Sequence, residues 1–229
     1  MRTRVSRNRC MHCKSDASVK GSWFYYLKNL LTELNLEHLW DSEEIGELKA
    51  WSTLASACIK RRETDLWVKG LTSKSKLGFY RSLKSDPKKA EYLSWELPED
   101  YRKMVTRLRC GSHPLQIEVG RWSHTPREER LCKMCVTGVI EDEWHFICEC
   151  YAYDRLRAKL FREIMSRTGY DLSLMADSKE WIADALIGHG LMRLEVRKEL
   201  ILLAGRFLLE AMAVRNQTLA AIKAETARH

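Results

Sequence analysis

Four residues of this chain have the types and spacing to hold a metal ion: Cys132, Cys135, His145 and Cys150. Written as spacing, the set is C-x2-C-x9-H-x4-C. Zinc takes thiolates and imidazole in a closed tetrahedron, and a C-x2-C pair grips one edge of it from a tight turn. Gly138, three residues after Cys135, can supply the positive φ such a turn often needs. Cys148 also follows His145, at x2, and on a helix it would share the face of His145. Cys150, at i+5, requires a helix that starts late or breaks, so spacing alone leaves Cys148 and Cys150 as rivals. Four strong donors leave no position for water, which points to one structural zinc ion and not a catalytic one. Among Glu141, Asp142 and Glu143, one is a candidate to orient the His145 ring, although three consecutive acids read first as a solvated turn or helix start. No nucleophile elbow, phosphate loop or pair of catalytic carboxylates occurs elsewhere, and no catalytic residue is assigned.

The elements that must position these groups read as mainly helical. The expected fold is a bundle-like α chain with a small zinc-stapled CCHC module in the middle. Residues 1–20 hold six Lys/Arg against one acid and show no apolar periodicity, so they read as a basic, disordered tail. That tail contains a lone C-x2-C, Cys10-Met-His-Cys13, which is only half a zinc site. Residues 21–106 read as a helical region. Ser22 is a plausible N-cap, with Trp23, Tyr26, Leu27, Leu30, Leu31 and Leu34 at helical spacing behind it. A second helix starts at Asp41-Ser-Glu-Glu44, carries Ile45, Leu48, Ala55, Cys58, Ile59 and Leu66 on one stripe, and breaks at Gly70. Cys58 reads there as a small core residue. Residues 74–97 suggest a turn or two of helix, and Pro98 with Glu99 and Asp100 marks another start, ending at Gly111.

Residues 107–157 form the expected zinc-binding module. Leu115, Ile117 and Val119 alternate within it, consistent with a short strand. C-terminal helices fill 158–229: one is patterned from Asp154 to Arg167, a second is capped by Ser178, and a third runs from Leu194 to about Ala224. The last has Leu200, Ile201, Ala204, Phe207, Leu208 and Ala211 facing inward.

Charge narrows the partners. The net charge is +8, and residues 101–135 alone carry eight Lys/Arg against three acids. Arg107, Arg109, Arg121, Arg130 and Lys133, with Trp122 and His124 interleaved, are candidate contacts to RNA or DNA, and the mix of basic and aromatic groups suits single-stranded or structured RNA first. The opposing reading is a solvated basic face with Trp122 packed on the module. No apolar run has the length of a membrane span, and the N-terminus lacks the apolar core of a signal peptide. An intracellular protein, nuclear or cytoplasmic, is therefore expected, where clustered cysteines bind metal and do not pair as disulfides.

Several blocks carry a family likeness. Arg107-x-Arg109-x-Gly111-x3-Leu115, Glu118-Val-Gly-Arg121 and Arg127-Glu-Glu-Arg-Leu-Cys132-x2-Cys135 lead into Glu141-Asp-Glu-x-His145-Phe and Cys150-x2-Tyr153-x2-Leu156-Arg157. This stretch resembles the zinc-binding region on the C-terminal side of the polymerase in non-LTR (LINE-type) retrotransposon reverse transcriptases. The resemblance covers roughly residues 21–165 and is most specific over 107–157. It implies that the fourth ligand is Cys150 and not Cys148. It also implies a nucleic-acid-handling accessory module: the tail of a retroelement protein, either a degenerate copy or a product reused by its host. The polymerase's Tyr-x-Asp-Asp carboxylates and the endonuclease patterns are missing from this sequence, so neither activity carries over. The competing expectation is a zinc-stabilised helical scaffold, also retroelement-derived, whose helical regions bind protein.

Overall fold

The computed structural model describes residues 19–41, 48–175, 178–188 and 192–228. The Cys10/Cys13 pair, the basic tail up to residue 18 and the expected helix start at 42–45 lie outside these residues. Helix accounts for 72% of the described residues, and no strand forms among them. No helix among them is long and apolar enough to cross a membrane. The chain divides into two compact units, Met1–Val68 and Lys69–His229.

In the first unit, helix α1 (Trp23–Glu33) starts where the sequence predicts, with the Ser22 hydroxyl accepting the Tyr25 N–H at 3.1 Å. Its stripe is narrower than expected: Trp23 and Tyr26 face solvent, while Leu31, Leu34 and Leu36 form a small core. Leu27, Leu30, Trp40 and Cys58 pack against that core, Trp40 from the short helix α2 (His38–Asp41). The long helix α3 (Leu48–Thr72) carries Cys58, and its Arg62 pairs with Glu33 of α1. It continues through Gly70, because a single glycine lowers helix stability by only about 1 kcal/mol.

The second unit holds the candidate site. Helix α4 (Gly78–Leu83) follows a 3-10 turn, and α5 (Glu99–Arg109) starts after Pro98 with Glu99 and Asp100 in its first turn, where acids favour the helix dipole. Helix α6 (Gln116–Trp122) replaces the strand expected from the Leu115/Ile117/Val119 alternation. Leu115 is its extended N-cap; Ile117 is buried and Val119 is exposed, which is one turn of helix and not one sheet face. Helix α7 (Asp154–Thr168) ends at the left-handed Gly169, and α8 (Lys179–Ile187) is capped by the Ser178 hydroxyl. The longest helix, α9 (Leu194–Thr226), packs against α5, α7 and α8.

All six residues expected to face inward on α9 are buried. They join Val105 and Leu108 of α5, Leu160 and Ile164 of α7, and Ile182 and Leu186 of α8 in one core. Phe146, Ile147 and Tyr153 from the metal loop enter the same core. The regions 107–157 and 158–229 therefore do not separate: the loop has too few apolar residues to bury alone and borrows those of the helices.

Candidate metal centre

The Cys132–Cys135 turn hangs from a single antiparallel bridge between Leu131 and Ile140. The Cys132 N–H donates to the Val139 carbonyl at 2.8 Å, and the Glu141 N–H donates to Arg130 at 2.9 Å. Between these rungs the chain reverses through Gly138 at φ 68°, the left-handed conformation anticipated for it. Within the turn, the Met134 N–H points at the Cys132 sulfur at 3.4 Å. The Thr137 hydroxyl lies 2.9 Å from the Cys135 sulfur.

The other half is a helical turn of unusual register. His145–Glu149 is a π-turn, closed by the Cys150 N–H donating to the His145 carbonyl at 2.8 Å. This i→i+5 bond sets Cys150 back beside His145, which an ordinary α-turn would not do. Asp142 starts the turn, its Oδ1 accepting the His145 N–H at 2.9 Å. Cys148 points elsewhere, its thiol donating to the Lys179 carbonyl at 3.7 Å, and burial pushes that thiol up to about 12.

The ligating atoms of Cys132, Cys135, His145 and Cys150 all lie within 4.8 Å of one another, and all four residues are buried. The Cys132 and Cys150 sulfurs are 3.9 Å apart, and His145 Nε2 is 3.3 Å from the Cys135 sulfur. A tetrahedron with ~2.3 Å metal–sulfur bonds has edges of about 3.8 Å, so these donors fit around a single ion. The hydrogen bond between Cys132 and Cys150 holds the Cys132 thiol well below the ordinary range and drives that of Cys150 above it. Burial disfavours a charged His145, but its hydrogen bonds to the Cys132 and Cys135 sulfurs outweigh this and raise it to about 9. His145 Nδ1 has no hydrogen bond and faces Glu149 Oε2 at 3.6 Å, so the acid nearest the ring follows the histidine instead of preceding it.

The acids at 141–143 are not a solvated turn. Glu141 is buried and takes both ends of the Arg215 fork, Nε and Nη2, at 2.7 Å each. Its Oε2 also accepts the Gln116 N–H at 2.8 Å. Glu143 is buried against His113 Nε2 at 3.0 Å. Arg157 of α7 donates to the carbonyls of Ile147 and Cys150, tying the π-turn to the helices. Sequence reasoning gave no role to His113, Arg157 or Arg215; nothing local marks His113 and Arg215, whose partners lie 30 and 74 residues away in sequence.

The five candidate nucleic-acid contacts separate. Arg107 and Lys133 are exposed. Arg121 is half-buried, held by Glu118 at 2.9 Å and by the Ser75 hydroxyl at 2.9 Å. Arg130 spends its guanidinium on the carbonyls of Ile117 and Thr125. Arg109 is a correction: it is only 2% exposed, lies over the Tyr92 and Tyr80 rings at 5.2 and 6.0 Å, and donates to the Ile187 carbonyl. A guanidinium enclosed in this way cannot reach a phosphate. Trp122 does not pack on the module but stands in solvent. Comparison with known proteins finds no matching family model, curated protein or solved structure.

Proposed function

We propose that Cys132, Cys135, His145 and Cys150 hold one zinc ion that folds the loop, and that the zinc-folded module is a nucleic-acid-binding accessory element. The carrying observation is the buried tetrad itself: four thiol and imidazole donors within 4.8 Å. That donor set suits zinc, and four protein ligands fill a tetrahedral sphere, so the metal's role is structural and no polymerase or nuclease chemistry is assigned. Cys150→Ser is expected to release the metal, whereas Cys148→Ser leaves one equivalent bound and shifts stability by only about 1 kcal/mol. Metal analysis of the two purified variants decides; the reverse pattern would refute the ligand set.

Support for a polyanionic partner comes from the net charge of +8 and from Arg107 and Lys133 standing free on the surface. The motif likeness to non-LTR retrotransposon reverse transcriptases points the same way and supports an origin in, or derivation from, such a protein. On this reading affinity falls steeply with salt, and Arg107→Gln and Lys133→Gln each flatten the slope of log K against log salt by about 0.7 for a single strand. A gel-shift titration at several ionic strengths measures this. Zinc-loaded protein that retards neither RNA nor DNA at low salt would exclude the reading.

A second reading, a helical protein-interaction scaffold, is favoured by the first unit. There α3 exposes Leu54, Ile59 and Leu66, and α1 exposes Trp23 and Tyr26. Sedimentation of the full chain tests self-association on that face.

A further inference from the structure

Trp122 leaves 82% of its surface in solvent, more than any other aromatic residue among those described. An indole contributes heavily when buried, so leaving one in water calls for a reason. The backbone beneath it is not loose. Arg130 Nε and Nη2 donate to the Thr125 carbonyl at 2.9 and 2.8 Å, and Nη1 donates to the Ile117 carbonyl at 2.9 Å. One guanidinium thereby joins the first turn of α6 to the residues past its end. Gly120 sits directly against this arginine: a Cβ there would lie 2.6 Å from Arg130 Cγ, so only glycine allows the approach. At the N-terminal end, Glu141 accepts the Gln116 N–H with its side chain and the Ile117 N–H with its carbonyl, the latter at 3.0 Å. Beyond the helix, His124 turns the chain at φ 55°, and the Ser123 and Thr125 hydroxyls bond each other at 2.8 Å.

From this geometry we infer that Trp122 is a stacking platform for an unpaired base of single-stranded RNA or DNA, with Arg130 as the residue that positions it. The inference rests on the nucleic-acid reading above and goes further by naming the side chain that meets the base and the residue that positions it. Every base has a π-face, and bases inside a duplex already have theirs covered, so a projecting indole selects unpaired ones. The surrounding sequence, net +5 over residues 101–135, draws phosphates and repels basic protein surfaces. Rigidity matters because a ring carried on a fixed backbone has less freedom to lose on stacking.

The test uses the full zinc-loaded chain and fluorescence anisotropy with labelled oligonucleotides of about 16 nucleotides, the upper site size of single-strand-binding folds. Single-stranded RNA, single-stranded DNA and the matching duplex form the three arms. Wild type is expected to prefer the single strands. Trp122→Ala weakens that binding roughly 5- to 140-fold, the worth of one stacked base, and Trp122→Phe keeps most of it. Arg130→Lys preserves the charge but loses the three-bond fork. It is expected to weaken binding comparably while leaving the salt slope unchanged, whereas a phosphate contact would tolerate lysine.

Trp122→Ala at wild-type affinity, or a duplex bound as tightly as a single strand, overturns the platform. Arg130→Lys at wild-type affinity overturns the positioning role. If wild type binds no nucleic acid at low salt, the nucleic-acid reading itself has failed; if it binds and Trp122→Ala does not differ, only the platform has. Self-association lost in Trp122→Ala with nucleic-acid affinity intact would assign the ring to a protein contact and also overturn the inference. Trp122 is exposed, so its variants fold; zinc content and circular dichroism verify this for all three.

Discussion

His145→Ala is expected to abolish zinc binding and unfold the loop from about residue 130 to residue 150. Within the loop itself one β-bridge and one π-turn order the backbone, and its other ties, through Glu141, Glu143, Phe146, Ile147 and the Cys150 carbonyl, run to groups outside it. Structural zinc contributes on the order of 10–16 kcal/mol in small zinc-binding peptides, which matches or exceeds the whole stability of an ordinary domain. The damage spreads, because Phe146 and Ile147 of the loop are fully buried in the core that α5, α7, α8 and α9 share. Thermal melts followed by circular dichroism should show a large loss of Tm in His145→Ala and Cys132→Ser, reproduced in wild type by a chelator. An alanine variant that keeps one equivalent of zinc and its melting midpoint would show that the tetrad does not bind the metal as proposed.

The second large effect belongs to Glu141 and Arg215. Their side chains are 1% and 3% exposed, and the contact is bidentate at 2.7 Å. Arg215→Ala leaves a buried carboxylate without its countercharge, and breaking such a pair from one side costs about 3–5 kcal/mol. Replacing both partners by leucine removes the unpaired charge and should recover part of that loss. Urea denaturation of the two single variants and the double variant measures the coupling directly. Zinc content should stay at one equivalent in all of them, which separates this effect from loss of the metal. An Arg215→Ala midpoint close to wild type would mean that the pair is solvated in solution.

What was legible beforehand was what a few neighbouring residues decide. Ser22, Pro98 and Ser178 announce helix starts because capping is local, and the α9 stripe follows from periodicity alone. The C-x2-C turn with Gly138 is equally local. Three readings failed for the opposite reason. Leu115, Ile117 and Val119 alternate like a strand, but Glu141 accepts the Gln116 and Ile117 N–H groups and a helix starts there. The acids at 141 and 143 look solvated until Arg215 and His113 arrive, 74 and 30 residues away in sequence. Arg109 looks like a phosphate contact by residue type, yet Tyr80, Tyr92 and the Ile187 carbonyl enclose it. The choice of Cys150 over Cys148 stands between these cases. Spacing left it open, the family likeness implied it, and the π-turn supplies its geometry.

The Glu141–Arg215 pair also sets an order of events during synthesis. At about 5–20 residues per second, the 74 residues between the partners take several seconds to emerge. For that interval the metal loop exists with its four ligands and an unmatched carboxylate, and the helix that buries it is not yet made. A metal ion can therefore be captured by the nascent loop before the core is complete, and without one the ribosome-bound chain would present Phe146 and Ile147 exposed with free thiols beside them.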